Sequence, residues 1–302
     1  MKRDFLAITD FNESEIRETL RSAAELKKKK GKILDVLKGK TVACIFHKPS
    51  LRTRISFEVG VHELGGHSLY ITDREIELGV RESIHDVAKV LSRYVAMIEI
   101  RTFSHDNVVE LARHADVPVI NGLTDLLHPC QIMGDMQTII ERKGKIDGMK
   151  IAYLGDGNNV CNSWLEAAAR IPIDLRIGTR KETMPDRRML ENSKSAGRSK
   201  IMITEDPKEA VRGADVIYTD VWASMGQKDK AQSQAELLKA YQINSHLLAA
   251  ADPDCIVMHC LPAERGREIT DDVIDGEHSV VFDQAENRLH IQKAIMVKLS
   301  LT

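Results

Sequence analysis

Residues 41–54 read TVACIFHKPSLRTR, an apolar run that passes through a polar turn into a helical pattern. A short run of this kind is typical of a buried strand, and a helix directly after it indicates a βα unit. The same order recurs along the first half of the chain. There we predict strands at 41–46, 68–71, 95–100 and 117–120, with helices that begin near residues 53, 82 and 106.

A second series of alternating strands and helices follows residues 143–145. Its predicted strands lie near 150–154, 173–177, 201–204, 215–218 and 255–259. Such alternation indicates parallel sheets, whose ligands bind beyond the carboxyl ends of the strands. The sequence therefore predicts an α/β protein of two doubly wound parallel-sheet domains, with the active site in the cleft between them.

Three further helices organise the chain. The first is predicted at 12–30, where Asn12 is a suitable cap and Gly31 a suitable stop. Another, at 131–142, joins the two series, and a long one, at 282–299, ends the chain. We expect domains at 1–143 and 148–285, with residues 286–302 packing back on the first domain.

The composition limits the possible partners. The chain has 302 residues, of which 43% are hydrophobic and 29% charged, and a formal net charge of -2, which gives no bulk attraction to nucleic acid or to an anionic membrane. Its five scattered cysteines lack a Cys-x-x-Cys pair, which argues against a disulfide framework and a zinc knuckle. No apolar stretch approaches the roughly 18 residues of a membrane span, and no targeting segment opens the sequence. We expect a cytoplasmic protein without nucleic-acid or membrane partners.

The turn after the strand at 41–46 combines Ser50, Arg52, Thr53 and Arg54 with the start of a helix. Hydroxyl groups, guanidinium groups and the backbone N–H groups of a helix N-terminus are the donors that hold a phosphate. A solvent-exposed turn with surface arginines is the alternative interpretation. The spacing of a Walker A loop is absent, so a phosphorylated ligand smaller than a nucleoside triphosphate is favoured.

Other polar residues are expected at the same edge of the first sheet. Arg101 follows the predicted strand at 95–100, and His128 and Gln131 lie in the turn before the linking helix. A histidine is able to donate to a carbonyl oxygen and a glutamine to bond an amide nitrogen, which are the contacts that orient a carbamoyl group. A structural His-Pro turn and a surface arginine are the alternatives.

Residues 155–160 read GDGNNV between a strand and a helix. Val160 stands where a dinucleotide-binding loop has its third glycine, and no acidic residue follows the next strand to hold a ribose, so a nicotinamide cofactor is not expected. Asn159 offers a neutral amide to a zwitterionic ligand. Its alternative role is that of a helix cap.

Two more loops carry polar groups beyond strand ends. Asp220 is able to pair with an ammonium group, and Ser224 to bond a polar group of the same ligand, although the stretch also reads as a mobile loop. Cys260 lies beside His259 at the end of the last predicted strand. Its thiol either contacts a substrate amine or is a buried structural group.

Three motifs together identify a family. They are Ser-x-Arg-Thr-Arg at 50–54, His-Pro-x-Gln at 128–131 and His-Cys-Leu-Pro at 259–262. In this order and spacing the chain resembles the aspartate/ornithine carbamoyltransferase family, and the resemblance covers essentially the whole chain. It implies transfer of the carbamoyl group of carbamoyl phosphate to the side-chain amine of ornithine, giving citrulline and phosphate, in arginine metabolism.

The resemblance also implies the site residues. Carbamoyl phosphate would bind to the domain at 1–143 and, beyond it, to the last strand end and the terminal helix, with contacts from Ser50, Leu51, Arg52, Thr53, Arg101, His128, Gln131, Cys260, Leu261, Arg288 and Glu77. Ornithine would bind in the domain at 148–285, with contacts from Asn159, Asp220, Ser224 and Met225. The implied catalytic residues are Arg101, His128, Cys260 and Thr53. The family pattern implies no cofactor, no metal, and a homotrimer or larger homo-oligomer.

Two positions depart from the family pattern. Leu51 stands where a threonine is common, at a position expected to contribute its backbone N–H. Glu77 stands where relatives carry a glutamine or histidine that reaches a neighbouring subunit's phosphate site, and a carboxylate there would repel phosphate. Glu77 therefore points elsewhere, carries a proton or an arginine partner, or contacts the acceptor amine. An acceptor such as putrescine or an N-acylated ornithine, and a catalytically silent ligand-binding relative, are the alternative functions.

Overall fold

The computed structural model describes residues 2–222 and 228–301. The chain divides into two compact units, Met1–Gln137 with Glu286–Thr302 and Thr138–Ala285. Each unit contains one parallel sheet, which confirms the predicted class of two parallel-sheet α/β domains. The finer domain limits drawn from the sequence stay a prediction.

The strands agree with those expected from the apolar runs. In chain order they are β1 (Thr41–Phe46), β2 (His67–Thr72), β3 (Met97–Arg101), β4 (Val119–Leu123), β5 (Lys150–Leu154), β6 (Asp174–Gly178), β7 (Lys200–Thr204), β8 (Val216–Thr219) and β9 (Ile256–His259). Each of these predictions is confirmed, with small shifts at the ends. The shifts arise because hydrogen bonding to the neighbouring strand, rather than apolar composition, decides where a strand ends.

The helices include short ones that the sequence pattern did not reveal. In chain order they are α1 (Glu13–Lys28), α2 (Leu51–Glu63), α3 (Asp73–Ile76), α4 (Ile84–Tyr94), α5 (His105–His114), α6 (Pro129–Lys143), α7 (Asn159–Ala168), α8 (Arg187–Ala196), α9 (Pro207–Val211), α10 (Lys228–Leu238), α11 (Ser245–Leu248), α12 (Asp271–Ile274) and α13 (Val281–Ser300). Within the described part of the chain, none of them has both the length and the apolar content that crossing a bilayer requires.

Helix α1 shows how local chemistry sets an element boundary. The side chain of Asn12 accepts a hydrogen bond from the Glu15 N–H, and the Glu15 carboxylate accepts one from the Asn12 N–H, both at 3.0 Å. This reciprocal pair satisfies two of the N–H groups that the first turn of a helix leaves without an intrahelical acceptor. The predicted cap at Asn12 is therefore confirmed, and Gly31 follows the helix in left-handed backbone, with φ of 77°.

The first unit has the strand order β2-β1-β3-β4 and the second the order β7-β6-β5-β8-β9. In both sheets all the neighbouring strands are parallel. Such strands need apolar cover on both faces, and residues 42–46 of β1 and 151–154 of β5 are buried throughout. Strands β1 and β5 therefore lie at the centre of the hydrophobic cores of the two units.

Each sheet has a point where the direction of chain progression reverses. In the first unit it lies between β1 and β3, and in the second between β5 and β8. The loops that leave such a pair of strands diverge, which opens a crevice at their carboxyl ends. The loops concerned begin with residues 47–50 and 102–104 in the first sheet, and with residues 155–158 and Asp220 in the second. Several of the predicted site residues, among them Thr53, Arg101 and Asp220, lie in or beside these loops.

Candidate functional site

The start of α2 forms a helix N-terminus with a capped first turn. Ser50 is the cap, and its Oγ accepts a hydrogen bond from the Thr53 N–H at 3.2 Å. Leu51 is 68% exposed, so its side chain takes no part in packing and the position offers mainly its backbone. The N–H groups of this turn and the positive end of the helix dipole favour an anion.

Thr53 lies at the centre of the cluster of the first unit. Its Oγ1 accepts hydrogen bonds from Arg101 Nη1 at 3.3 Å and from Arg288 Nη2 at 2.8 Å. All three side chains are buried, with Thr53 1%, Arg101 6% and Arg288 2% exposed. Three segments far apart in the sequence, namely α2, β3 and α13, therefore bring their polar groups to one place.

Gln131 extends this cluster. Its Oε1 accepts a hydrogen bond from Arg288 Nη1 at 2.7 Å, and its Nε2 donates one to Asp135 Oδ1 at 2.8 Å. The second contact fixes the orientation of the amide, because Asp135 accepts and Arg288 donates. Arg288 thus holds Thr53 and Gln131 with the two ends of one planar guanidinium group.

His128 lies in the electric field of the same arginines. Burial lowers the pKa of its imidazole well below the ordinary value of 6.5, and the charges of Arg288, Arg101 and Arg52 lower it further. The ring is therefore a neutral donor and acceptor near neutral pH. Burying several guanidinium groups together is costly unless an anion compensates them, so the cluster favours a phosphate group.

Glu77 does not join this cluster. It is exposed and follows α3 in left-handed backbone, with φ of 43°. Within the described ranges, the hydrogen bonds that build the cluster around Thr53 join Arg101, Arg288 and Gln131 and do not include Glu77. The role of Glu77 toward a phosphate or an acceptor amine stays a prediction.

Asp220 is the centre of a second cluster, in the second unit. Its Oδ2 accepts a hydrogen bond from Asn158 Nδ2 at 2.8 Å, and its Oδ1 accepts one from the Val221 N–H at 2.8 Å. The Cys260 thiol donates to the same Oδ1 at 2.7 Å. The side chain is only 8% exposed, so these donors replace the water that an ionised carboxylate would otherwise need.

The cap of α7 is Asn158 and not Asn159. Asn158 Oδ1 accepts hydrogen bonds from the N–H groups of Val160, at 2.9 Å, and Cys161, at 3.3 Å, and from the Tyr153 hydroxyl at 3.0 Å. The alternative that made Asn159 the helix cap is therefore wrong, because the preceding residue occupies that position. Asn159 is the first residue of the helix and is half-buried.

A buried histidine supports the loop that carries Cys260. His259 Nδ1 accepts a hydrogen bond from the Leu261 N–H at 2.8 Å, so the ring proton is on Nε2, which faces Glu268 Oε1 at 3.1 Å. Leu261 has φ of 54°, a conformation that is costly for a branched side chain. The His259 and Glu268 pair, both fully buried, holds this strained turn in place.

Asp220, His259 and Cys260 also have the composition of a metal site. One ligand-type atom from each lies within 4.8 Å of the others. The His259 ring nitrogens bond to Leu261 and Glu268, and the Cys260 thiol bonds to Asp220. Each of the three side chains is therefore engaged in a hydrogen bond.

The structure brings the predicted residues together in two groups. The first unit assembles Ser50, Leu51, Arg52, Thr53, Arg101, His128, Gln131 and Arg288. Asp220, Cys260 and Leu261 lie together in the second unit, with Asn159 directly after Asn158, which contacts Asp220. Ser224 and Met225 lie outside the described residues.

Sequence reasoning missed several residues of the second cluster. Tyr153 and Glu268 lie outside the motifs, and Asn158 lies within the stretch at 155–160 but had no assigned role; the partners of all three become evident only in the folded chain. One signal was available, since two adjacent asparagines before a helix offer two candidates for one cap position. Of the two, only Asn159 has a role predicted from the sequence.

Comparison with known proteins gives matches over both units. A sequence model of the aspartate/ornithine carbamoyltransferase carbamoyl-P binding domain matches residues 3–141. The model of the Asp/Orn binding domain of the same family matches residues 147–299. The two matches together span nearly the whole chain.

Individual relatives agree with the family models. The chain is 52% identical over 302 residues to an ornithine carbamoyltransferase of Carboxydothermus hydrogenoformans, a match that covers 98% of this chain and 97% of that protein. It is 51% identical over 298 residues to the one of Syntrophus aciditrophicus, covering 98% and 99%. Among solved structures, the ornithine carbamoyltransferase from Pyrococcus furiosus superposes with a TM-score of 0.92 at 47% identity, covering 98% of this chain and 96% of that one.

Proposed function

Because the chain belongs to the aspartate/ornithine carbamoyltransferase family, we infer that it transfers the carbamoyl group of carbamoyl phosphate to the δ-amine of ornithine. The products are citrulline and phosphate. The observation that carries this conclusion is the full-length match to ornithine carbamoyltransferases at about half identity. The two clusters of polar residues supply chemistry that this reaction needs.

The cluster around Thr53 is suited to carbamoyl phosphate. The phosphate group has partners in the N–H groups of the first turn of α2 and in the guanidinium groups of Arg52 and Arg288. The carbamoyl oxygen has partners in Arg101, Thr53 and His128, and the carbamoyl nitrogen has one in Gln131. These assignments to individual residues are proposals, and they are supported by the mutual contacts of the side chains.

The cluster around Asp220 is suited to the acceptor. An ionised carboxylate attracts a cationic amino acid, and the Cys260 thiol beside it is a group that an amine is able to contact. Aspartate, the other acceptor in the family name, carries a second negative charge that Asp220 would repel. We assign Asn159, Asp220, Ser224 and Met225 to the binding of ornithine.

In the proposed mechanism the neutral δ-amine attacks the carbamoyl carbon. A tetrahedral intermediate forms, and its oxyanion is stabilised by Arg101, Thr53 and the neutral ring of His128. The C–O bond to phosphate then breaks, and the departing phosphate takes the proton that the amine loses. Activity therefore rises through alkaline pH as free ornithine loses its δ-proton, and a flat profile of turnover from neutral to alkaline pH would contradict this step.

A colorimetric ureido assay tests the function. Carbamoyl phosphate is supplied together with ornithine, putrescine, N-acetylornithine or aspartate in parallel. We expect rapid product formation with ornithine and little with the other three. Product with putrescine or N-acetylornithine instead would assign a different acceptor, and no product with any of them would favour a ligand-binding role, an alternative that the full-length matches do not favour.

A variant of the phosphate cluster tests the first binding assignment. Arg52→Ala removes a guanidinium group from the first turn of α2, where its charge acts on His128. We expect loss of carbamoyl phosphate binding in calorimetry with an unchanged circular dichroism spectrum. Binding like that of the wild type would remove Arg52 from the proposed site.

We also propose a setting for the enzyme. It functions in arginine metabolism, in the cytoplasm, as a homotrimer or a larger homo-oligomer, as the family pattern implies. Sedimentation equilibrium of the purified chain measures the assembly directly. A monomer that is fully active would contradict the proposed oligomer.

A further inference from the structure

We propose that Asp156 is a further acceptor-binding residue, whose carboxylate forms a second anionic contact for ornithine beside Asp220. This rests on the proposed function, since it adds a residue to the same acceptor site. Strand register places Asp156 and Asp220 in neighbouring loops. Strands β5 and β8 are neighbours, with Leu154 paired to Thr219, so the residues that follow these two ends emerge side by side. Asp156 and Asp220 belong to these two loop starts.

The loop that carries Asp156 is held on both sides by glycines that accept no side chain. At Gly155, which has φ of 120°, an added Cβ would lie 2.7 Å from Trp222 Nε1. At Gly157 it would lie 2.2 Å from the backbone nitrogen of Pro185, and the Gly157 N–H donates to Thr183 O at 2.8 Å. Asp156 is therefore presented by a tightly packed backbone rather than by a loose turn.

Asn158 connects this loop to Asp220. Its Nδ2 donates to Asp220 Oδ2 at 2.8 Å, while the one proton of the Tyr153 hydroxyl is shared between Asn158 Oδ1, at 3.0 Å, and the backbone oxygen of Asp156, at 2.9 Å. Tyr153 thus fixes the main chain at Asp156 and the amide that reaches Asp220. The Asp220 carboxylate and the main chain at Asp156 therefore share one supporting network.

The charged groups around Asp156 account for its titration. Burial and the negative charge of Asp220 raise the pKa of Asp156 to about 7, whereas a hydrogen bond from Gln234 of α10 lowers it. The other titratable neighbours are Tyr153 on β5 and Cys161 on α7, both of which burial and nearby negative charge keep protonated. Asp156 is half-buried, and the charge of Asp220 makes its carboxyl costly to ionise. A bound amino acid with an ammonium group would lower that cost, because its positive charge stabilises the carboxylate.

The sign of the pH effect follows from that pKa. Above about pH 7 the carboxyl of Asp156 is ionised and attracts an ammonium group of the acceptor, and below it the group is protonated and the attraction is lost. The isosteric variant Asp156→Asn lacks the charge at every pH. The ratio of kcat/KM for ornithine between the wild type and this variant therefore isolates Asp156, because deprotonation of ornithine itself affects both proteins equally.

The experiment measures that ratio from pH 6 to pH 9 at saturating carbamoyl phosphate. We expect the wild type to exceed Asp156→Asn by about tenfold or more at pH 8.5, the usual worth of a contact to a charged group, and the ratio to approach one below pH 7. KM for carbamoyl phosphate stays unchanged. A matched control is Asp186→Asn, which keeps a good N-cap for α8 and should leave all these values as in the wild type.

Two more variants separate a charge effect from a structural one. Asp156→Glu keeps the charge and should restore most of the ratio at high pH. Gln234→Leu removes the hydrogen bond that lowers the pKa of Asp156, so the break in kcat/KM near pH 7 should move to higher pH. If Asp156→Asn does not fold, the pH shift in Gln234→Leu alone decides whether Asp156 contributes to binding of the acceptor.

The outcomes distinguish the two levels of inference. A wild type that makes no citrulline refutes the proposed function. A wild type that makes citrulline, combined with a ratio that is the same from pH 6 to pH 9 or with no shift in Gln234→Leu, refutes the role of Asp156 and leaves the function standing.

Discussion

Arg288 donates a hydrogen bond from Nη2 to Thr53 Oγ1 at 2.8 Å, although 235 positions separate the two residues in the sequence. Its Nη1 donates at the same time to Gln131 Oε1 at 2.7 Å. Helix α13 thus completes a cluster that α2 and α6 begin. A single planar group that bonds two partners at once is difficult to replace by another cation.

The variant Arg288→Lys tests this geometry. Lysine keeps the positive charge but is a point donor that does not span Thr53 and Gln131 together. We expect KM for carbamoyl phosphate to rise by about 10- to 100-fold, the range of one hydrogen bond to a charged group, with a smaller change in KM for ornithine. Steady-state kinetics with each substrate varied in turn provide the measurement.

The control for this variant is Arg21→Lys, an exposed arginine on α1 in the same unit. It should leave both KM values unchanged. If Arg288→Lys also behaves like the wild type, charge alone is sufficient at this position and the bidentate contact has no role in binding.

The fold was predictable because each strand is a short apolar run that ends at a polar loop. The run at 41–46 became β1 without change, and the regular alternation of helix and strand indicated the parallel topology. Short helices such as α11 and α12 were missed. Helices of four residues are stabilised by tertiary packing rather than by their own sequence, so no periodic pattern announces them.

His128 is expected to act as a neutral ring. Its pKa lies well below 6.5 because of burial and three nearby guanidinium groups, and a base with a lowered pKa becomes charged only at still lower pH. The pH profile of kcat should therefore contain no break from His128 between pH 6 and pH 9. Proton NMR of the ring signals checks this, and a titration near pH 6.5 would contradict the assignment.

Removal of the ring should affect the chemical step. His128→Ala takes away a donor for the oxyanion, and the loss of one such donor typically costs about 100- to 1000-fold in rate. We expect that fall in kcat with a modest change in KM for carbamoyl phosphate. A fall in affinity alone would make His128 a binding residue instead.

Cys260 is expected to be the reactive thiol. It is half-buried, whereas Cys44, Cys130, Cys161 and Cys255 are buried, and burial raises the pKa of Cys130 and of Cys255 to about 12. A thiolate is the nucleophilic form, so an alkylating reagent should modify Cys260 first and inactivate the enzyme. Ornithine should slow this reaction. Mass spectrometry of the modified peptide identifies the site.

Two replacements of Cys260 separate its contact from its reactivity. Cys260→Ser resists alkylation and keeps a donor for Asp220, while Cys260→Ala loses the contact seen at 2.7 Å. We expect the alanine variant to be the slower of the two by about tenfold, the worth of one hydrogen bond. Equal rates would show that the Asp220 contact has no role in turnover.

The site was only partly predictable, and for a physical reason. The motifs at 50–54 and 128–131 indicated the chemical roles of Arg52, Thr53 and His128. The contacts that support these residues join segments far apart in the sequence. Glu268 illustrates this, since its bond to His259 depends on how the loop after β9 folds back. Residue spacing does not encode such a contact.

Glu99 provides a test of stability in the first unit. It lies on β3, two residues before Arg101, and is fully buried, with an oxygen so close to Gly122 that a Cβ there would lie 1.8 Å away. Among the described residues, neither of its carboxyl oxygens has a hydrogen-bond partner. Burial raises its pKa well above 4.5, although Arg101 and Arg288 oppose the shift. The folded protein therefore holds Glu99 protonated at a pH where the unfolded chain has released that proton.

The raised pKa of Glu99 determines how its contribution to the free energy of unfolding changes with pH. Because the unfolded state binds fewer protons than the folded state above pH 4.5, the contribution of Glu99 to stability falls as pH rises toward its folded pKa, by about 1.4 kcal/mol for each pH unit. Glu99→Gln has a neutral side chain of similar shape and lacks this dependence. In urea unfolding at pH 5.5 and pH 8.5, the variant should gain stability relative to the wild type at the higher pH. An equal difference between the two proteins at both pH values would mean that Glu99 is ionised in the folded state.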